Sequence, residues 1–271
     1  MKNESWIDKV RLYCLKYDIP LDYLPEIIAD PKVIPMIRGK AFEFSVMLKL
    51  QEVLPTSEWE IEKPFMNAQL GFHDTDVKII HKKSQQIIRV ECKLAEKGSF
   101  RELKNGERQI KVKCMRSCTL GESKVKELAP KFGIPTDLLQ VHNDQYLPSD
   151  FDVVITSIGN AFYETDEETD IFEWQPSSQA NTFLQQLLHT GNTTDLQHLA
   201  YQKMYIATSQ SLVVNEENKV VCSRQKCTQP NSCGFIPNYP LIKFEPNKLN
   251  PQSTWVEVEN CVSLLNSLII K

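Results

Sequence analysis

Length, composition and charge exclude several classes of protein. The chain has 271 residues, a net charge of −4 and 41% hydrophobic residues, which is typical of a globular protein rather than a polycationic nucleic-acid binder. No apolar run is long enough to cross a membrane, and the first six residues lack the apolar core of a signal peptide. We therefore expect a cytoplasmic protein whose eight cysteines are thiols or metal ligands rather than disulfides.

Helices are predicted for the first part of the chain. Apolar residues recur at helical spacing over residues 5–17, and a short second helix is predicted for residues 21–28. A stronger helix over residues 38–54 ends before Pro55. Glu43 lies in its apolar stripe, where a carboxylate is costly unless it is paired, bound to a metal, or near enough to the helix start to reach water or a backbone amide.

Two β-strands joined by a tight hairpin are predicted for residues 76–94, after a first strand at residues 59–63. Side chains alternate along a strand, so Glu91 and Lys93 share one face, and an antiparallel partner brings Asp76 opposite them. Two carboxylates and a lysine on one sheet face are costly unless a cation lies between the carboxylates. Mg²⁺ prefers one or two such carboxylates together with waters and phosphate oxygens.

An Asp at the start of one strand and Glu-X-Lys on the next resembles the motif of the PD-(D/E)XK nuclease superfamily, to which most type II restriction endonucleases belong. Here the pattern is Asp76, then fourteen residues, then Glu91-Cys92-Lys93. Thr75 stands where the usual proline would be, and Asp74 is an alternative for the first position. The resemblance covers mainly residues 38–95.

The resemblance implies a restriction-endonuclease-like α/β fold, in which helices flank a mixed central β-sheet. It implies a Mg²⁺-dependent endonuclease of a restriction–modification system that cuts double-stranded DNA at specific sites, as a homodimer if the target is palindromic. Asp76 and Glu91 would bind the metal, and Lys93 would orient or deprotonate the attacking water. A helix before the catalytic strands often supplies a further Glu, here Glu43. Alternatives are a repair or recombination nuclease of the same superfamily, or an inactive DNA-binding protein with a nuclease-like core.

A basic segment follows the second strand of the hairpin. Residues 97–131 carry ten Lys or Arg and four Glu, whereas residues 164–173 carry six acidic residues and no basic one. This distribution indicates either a phosphate-facing cleft or two solvated faces of opposite charge, and the motif favours the cleft. The DNA-binding candidates, from this segment and from a later cysteine-containing loop, are Lys97, Arg101, Lys111, Lys113, Arg116, Arg224 and Lys226.

The rest of the chain is predicted to complete a single domain over residues 1–271. Its catalytic core spans about 38–160, and a C-terminal helical and DNA-recognition part spans about 175–271. The apolar run at 151–158 predicts a strand buried on both faces in the middle of the sheet. Further predictions are a basic-faced strand within 107–119, helices at 121–132, 136–140, 178–188 and 194–208, and a core-closing segment at 256–270.

Three cysteines, Cys222, Cys227 and Cys233, lie within twelve residues. In a cytoplasmic protein such a cluster indicates either structural zinc or a loop with buried thiols. The spacing does not match paired CxxC knuckles, and a fourth ligand would have to come from elsewhere, such as Cys114 or Cys118.

Overall fold

A computed structural model describes residues 5–64, 75–169, 171–188, 195–252 and 254–269. No helix in these ranges is long and apolar enough to cross a lipid bilayer. The helices are α1 (Trp6–Lys16), α2 (Leu24–Ala29), α3 (Ile34–Val53), α4 (Glu122–Phe132), α5 (Thr136–Val141), α6 (Ser178–Leu188), α7 (Leu196–Gln202), α8 (Ser209–Leu212) and α9 (Val262–Leu268). The strands are β1 (Trp59–Glu62), β2 (Val77–His81), β3 (Gln86–Cys92), β4 (Arg101–Glu102), β5 (Arg108–Lys111), β6 (Val153–Ser157), β7 (Tyr163–Thr165), β8 (Phe172–Trp174), β9 (Met204–Thr208), β10 (Leu241–Phe244) and β11 (Val256–Glu257).

The central sheet has six strands in the order β1-β2-β3-β6-β9-β11. Its neighbours are antiparallel except for β3 and β6, which run parallel with Glu91 opposite Val154. Every residue of β6 is buried, so the predicted central strand is confirmed. The predicted α/β class, with helices flanking a mixed central sheet, is confirmed at that level.

One face of the sheet is covered by α3 and α9. Val46 and Leu50 of α3 pack with Ile79 and Ile88 of the hairpin in one buried cluster, to which Leu265 of α9 also belongs. Full burial of such a side chain stabilises the fold by about 1.5–3 kcal/mol. This packing fixes α3 against the β2–β3 hairpin, and it confirms that the C-terminal segment closes the core.

The opposite face carries a second cluster, to which α6, α7 and a three-stranded sheet of order β10-β5-β4 contribute. The ring of Phe244 in β10 lies 5.1 Å from that of Phe183 in α6 and 5.9 Å from that of Tyr205 in β9. A third and smaller cluster joins α4 and α5 to the segment after α8, with Leu139 packed near Phe235.

The structure lengthens the predicted helix at 38–54. Helix α3 begins at Ile34, with Pro35 in its first turn, where a missing backbone N–H costs no helical hydrogen bond. Glu43 therefore lies in the third turn, too far from the helix start for the backbone amides there to satisfy its carboxylate.

The single helix predicted for residues 194–208 is wrong. Residues Leu196–Gln202 form α7, but Met204–Thr208 form β9, which pairs with β6 inside the sheet. Four of the five β9 residues are buried, and a short apolar run buried on both faces has no periodicity that separates strand from helix. The predicted basic strand at 107–119 is confirmed only over Arg108–Lys111.

Candidate active site

Asp76 and Glu91 are placed by the register of the β2–β3 hairpin. Val77 pairs with Val90, so the next pair of the antiparallel register is Asp76 and Glu91. The backbone N–H of Cys92 donates a hydrogen bond of 2.8 Å to Oδ2 of Asp76. The two carboxylates therefore lie opposite each other, as predicted. Asp74, the alternative to Asp76, lies outside the described residues.

Lys93 and Tyr146 both contact the same oxygen of Glu91. Nζ of Lys93 lies 2.8 Å from Oε1 of Glu91, and the hydroxyl of Tyr146 donates to that oxygen at 2.8 Å. The ammonium group also lies 5.2 Å from the centre of the Tyr146 ring, a cation–π distance. The backbone N–H of Lys93 donates to the carbonyl of Ile155 at 2.9 Å and so continues the pairing of β3 with β6. Glu91 and Lys93 are thus held rigidly on the central strands.

The electrostatics of this site disfavour the charged form of Asp76. Burial, and then repulsion from Glu91 and Glu43, raise the pKa of Asp76 to about 7, against the opposing effects of the Cys92 N–H and of Lys93. Without a bound cation, Asp76 is therefore about half protonated at neutral pH.

Lys93 keeps its proton. Burial lowers the pKa of Lys93, but attraction to Glu91 and hydrogen bonds to Glu91 and Tyr146 outweigh burial, so the pKa lies above its ordinary value. A lysine that holds its proton this firmly acts as a cation and a hydrogen-bond donor. Of the two roles predicted for Lys93, orienting the water uses this proton, whereas deprotonating the water first requires its loss.

Glu43 is connected to Asp76 by a lysine that contacts both residues. Its side chain is buried on α3, Lys63 immediately after β1 forms a close ion pair with it, and Lys40 contacts its other oxygen at 2.8 Å. Lys63 also donates to the backbone carbonyl of Asp76 at 3.3 Å. Glu43 is therefore paired, and it acts on Asp76 through charge. Lys63 was missed by the sequence analysis, although it directly follows a correctly predicted strand.

The carboxylates of Asp76 and Glu91 fit a hard divalent cation. Among the described residues, no donor is found for Oδ1 of Asp76 or Oε2 of Glu91. In the same ranges the acidic residues do not gather as a group of three ligands around one point. Mg²⁺ is commonly bound by one or two carboxylates, and water and substrate oxygens fill its remaining coordination positions.

Part of the basic segment runs beside the segment that continues from β3 through Lys93. The backbone N–H of Lys113 donates to the carbonyl of Leu94 at 3.1 Å, and the N–H of Glu96 donates to the carbonyl of Lys111 at 2.7 Å. Both lysines are exposed on either side of the buried Val112. These two lysines therefore flank the segment that follows Lys93.

The other five predicted DNA-binding residues differ in exposure and in pairing. Arg101 and Lys226 are exposed, whereas Lys97 is half-buried, with Nζ 3.6 Å from the centre of the Phe172 ring. Two arginines are committed to ion pairs inside the protein: Arg116 contacts Asp150, and Arg224 contacts Asp144. These two arginines tie segments of the chain together, so they present less free charge to DNA than the sequence predicts.

The predicted cysteine cluster gathers around a histidine. The side chains of Cys222, Cys227 and Cys233 converge with that of His142, and the fourth member is therefore neither of the cysteines considered from sequence. His142 and Tyr146 were both missed, because each meets its partners across more than fifty residues of chain and no local pattern marks them.

Comparisons with known proteins add no family assignment. No protein-family model matches the chain, and neither curated proteins nor solved structures give a significant match.

Proposed function

We propose that the protein is a Mg²⁺-dependent, site-specific endonuclease of the restriction type that hydrolyses phosphodiester bonds in double-stranded DNA. The proposal is carried by one observation. Asp76 and Glu91 lie opposite each other on adjacent strands, and Lys93 contacts one of them. The same three residues carry the sequence resemblance to PD-(D/E)XK nucleases.

The chemistry divides between the metal and the protein. Bound by Asp76 and Glu91, Mg²⁺ would neutralise charge on a phosphate and lower the pKa of an attacking water. Lys93 holds its positive charge beside these carboxylates, where it stabilises the negative charge that develops on the phosphate in the transition state. The hydroxyl of Tyr146 donates to the same oxygen of Glu91 that Lys93 contacts, and it helps to hold that carboxylate in position.

Two exposed lysines near the site could attract the phosphate backbone of DNA. Lys111, at the end of β5, and Lys113, two residues further on, lie beside the segment that follows Lys93. Such lysines attract DNA through its phosphates regardless of sequence, whereas sequence specificity needs contacts to base edges elsewhere. We therefore assign these two lysines to phosphate contact.

The test is incubation of supercoiled plasmid and phage DNA with the purified protein, in Mg²⁺ and in EDTA. We expect discrete fragments in Mg²⁺ and intact DNA in EDTA. Asp76→Asn should abolish the fragments, whereas the matched control Glu60→Gln, at an exposed position on β1, should preserve them. A smear would replace the site-specific assignment with a non-specific nuclease, and DNA left intact in every condition would contradict a nuclease function.

A further inference from the structure

A second group of reactive side chains lies apart from the carboxylates. The three cysteine sulfurs and one ring nitrogen of His142 all lie within 4.8 Å of one another. Around one tetrahedral zinc ion, with bonds of about 2.3 Å to sulfur and about 2.0 Å to nitrogen, such ligand atoms are about 3.5–3.8 Å apart. We propose that Cys222, Cys227, Cys233 and His142 bind a single zinc ion as a structural site.

The tautomer of His142 supports this assignment. The ring is fully buried, and Nδ1 is hydrogen-bonded to Oε1 of Gln145. Nε2 of Gln145 donates to the carbonyl of Ile236 at 3.0 Å, which turns the amide oxygen towards the histidine. Nδ1 therefore carries the proton, and Nε2 carries the lone pair. A hydrogen-bond acceptor on the second nitrogen is the usual support of a metal-bound histidine.

Nε2 of His142 lies in a position that otherwise needs explanation. It is buried, and no hydrogen-bond partner is found for it within the described residues. Buried polar atoms are nearly always paired, because an unpaired one has lost its water without compensation. A metal ion between this nitrogen and the three sulfurs would use the lone pair.

The loop that carries the cysteines is folded to present them together. The backbone N–H of Arg224 donates to Sγ of Cys222 at 3.4 Å, which orients that sulfur. The N–H of Cys227 donates back to the carbonyl of Arg224 at 3.1 Å and closes a turn between the first two cysteines. After Cys233, Gly234 adopts a positive φ of 79°, which favours glycine, and the chain turns there.

The type and the number of the ligands favour zinc over other metals. Three thiolates and an imidazole are soft and intermediate ligands that suit zinc, and they do not suit Mg²⁺ or Ca²⁺. A two-iron cluster would spread the same four ligands over two metal ions, whereas here all four converge on one point. The proposed zinc site is therefore distinct from the proposed magnesium site in both chemistry and position.

The ion would connect two parts of the chain that meet near the carboxylates. It would join the end of α5 to the loop after α8. Close by, the N–H of Ile236 donates to the carbonyl of Tyr146 at 2.9 Å. Tyr146 is the residue whose hydroxyl reaches Glu91. The zinc site thus stabilises the backbone that positions Tyr146, and its existence does not depend on the nuclease proposal.

The proposal is tested by metal analysis of the full-length chain, purified without chelators from zinc-supplemented cells. We expect one zinc per chain by mass spectrometry of the metals. Replacement with Co²⁺ should give the intense visible absorption of a tetrahedral thiolate-bound ion. A thiol-modifying mercurial should release the zinc to a colorimetric indicator. These measurements involve no DNA, so nuclease activity and zinc binding can fail separately.

Variants locate the ion. Cys227→Ser should lose the zinc, whereas the matched control Cys118→Ser, at an exposed cysteine outside the cluster, should retain one equivalent. His142→Cys should keep the metal and strengthen the thiolate-to-cobalt absorption, because a fourth sulfur replaces the nitrogen. Should the ligand variants fail to fold, the zinc content and the cobalt spectrum of the wild type still show whether the protein binds one zinc ion through thiolates. Zinc-free protein, iron in place of zinc, a disulfide among the three cysteines, or full zinc in folded Cys227→Ser would each overturn the proposal.

Discussion

Replacing Asp76 with asparagine should stabilise the metal-free protein while it abolishes the proposed activity. In the absence of a cation, the folded state must either protonate this carboxyl or tolerate its charge beside Glu91 and Glu43. Asparagine has nearly the same shape, can still accept the hydrogen bond from the Cys92 N–H, and carries no charge. The variant therefore removes the cost of burying the charge and the repulsion from the other carboxylates, and it leaves the packing unchanged.

The magnitude follows from the pKa of Asp76. Its rise from 3.8 to about 7 on folding corresponds, at 1.36 kcal/mol per pH unit, to about 4 kcal/mol of lost stability once the pH exceeds 7. Because the folded state binds the proton more tightly than the unfolded state, this penalty is absent below pH 3.8 and grows as the pH rises to 7. More than half of it, about 2–3 kcal/mol, should develop between pH 5 and pH 8.

The assay is urea unfolding of the wild type and of Asp76→Asn in EDTA at several pH values from 5 to 8. Only the difference between the two proteins is used, so carboxyl groups elsewhere in the chain cancel. We expect the advantage of the variant to grow with pH, and Mg²⁺ to stabilise the wild type alone. A variant that is less stable than the wild type at pH 8, or a difference that does not change with pH, would refute the reasoning.

Three further outcomes are expected. Lys63→Ala should lower the free energy of unfolding in urea by about 2–3 kcal/mol, because it leaves the buried Glu43 with only Lys40 as a partner. Lys63→Met combined with Glu43→Gln should recover most of that loss in the same assay. Tyr146→Phe should slow single-turnover cleavage about 10-fold, since one hydrogen bond to Glu91 is lost, with DNA affinity in Ca²⁺ unchanged. Ca²⁺ should support tight DNA binding without cleavage, because it binds the same oxygen ligands but activates water less strongly; equal affinity in Ca²⁺ and EDTA by gel shift would show that the carboxylates do not face a phosphate.

The part of the site that is local in sequence could be predicted. Alternation along two strands and a short polar turn were enough to place Asp76 opposite Glu91 and to put Lys93 on the same face. The strand at β6 was predictable because its continuous apolar run is short and ends at a glycine. In each case the decisive pattern spans fewer than about twenty residues.

The parts that depend on distant contacts could not be predicted. Tyr146 reaches Glu91 across 55 residues of chain, and neither residue carries a local sign of the other. His142 likewise meets cysteines at least eighty residues away, so the fourth member of this cluster is not one of the cysteines considered from sequence. Strand β9 was mistaken for part of a helix because its burial comes from β6 and β11, which flank it in the sheet.

The most direct test of the proposed active site is single-turnover cleavage of DNA in Mg²⁺ by the wild type, Lys93→Ala and Lys83→Ala. Lys83 lies exposed in the hairpin turn at the far end of the same strands, so it controls for the loss of one positive charge. Lys93→Ala should cleave on the order of 10³-fold more slowly, with unchanged DNA binding in Ca²⁺, whereas Lys83→Ala should match the wild type. Undiminished cleavage by Lys93→Ala, or an equal loss of cleavage and binding, would contradict the assignment of this site.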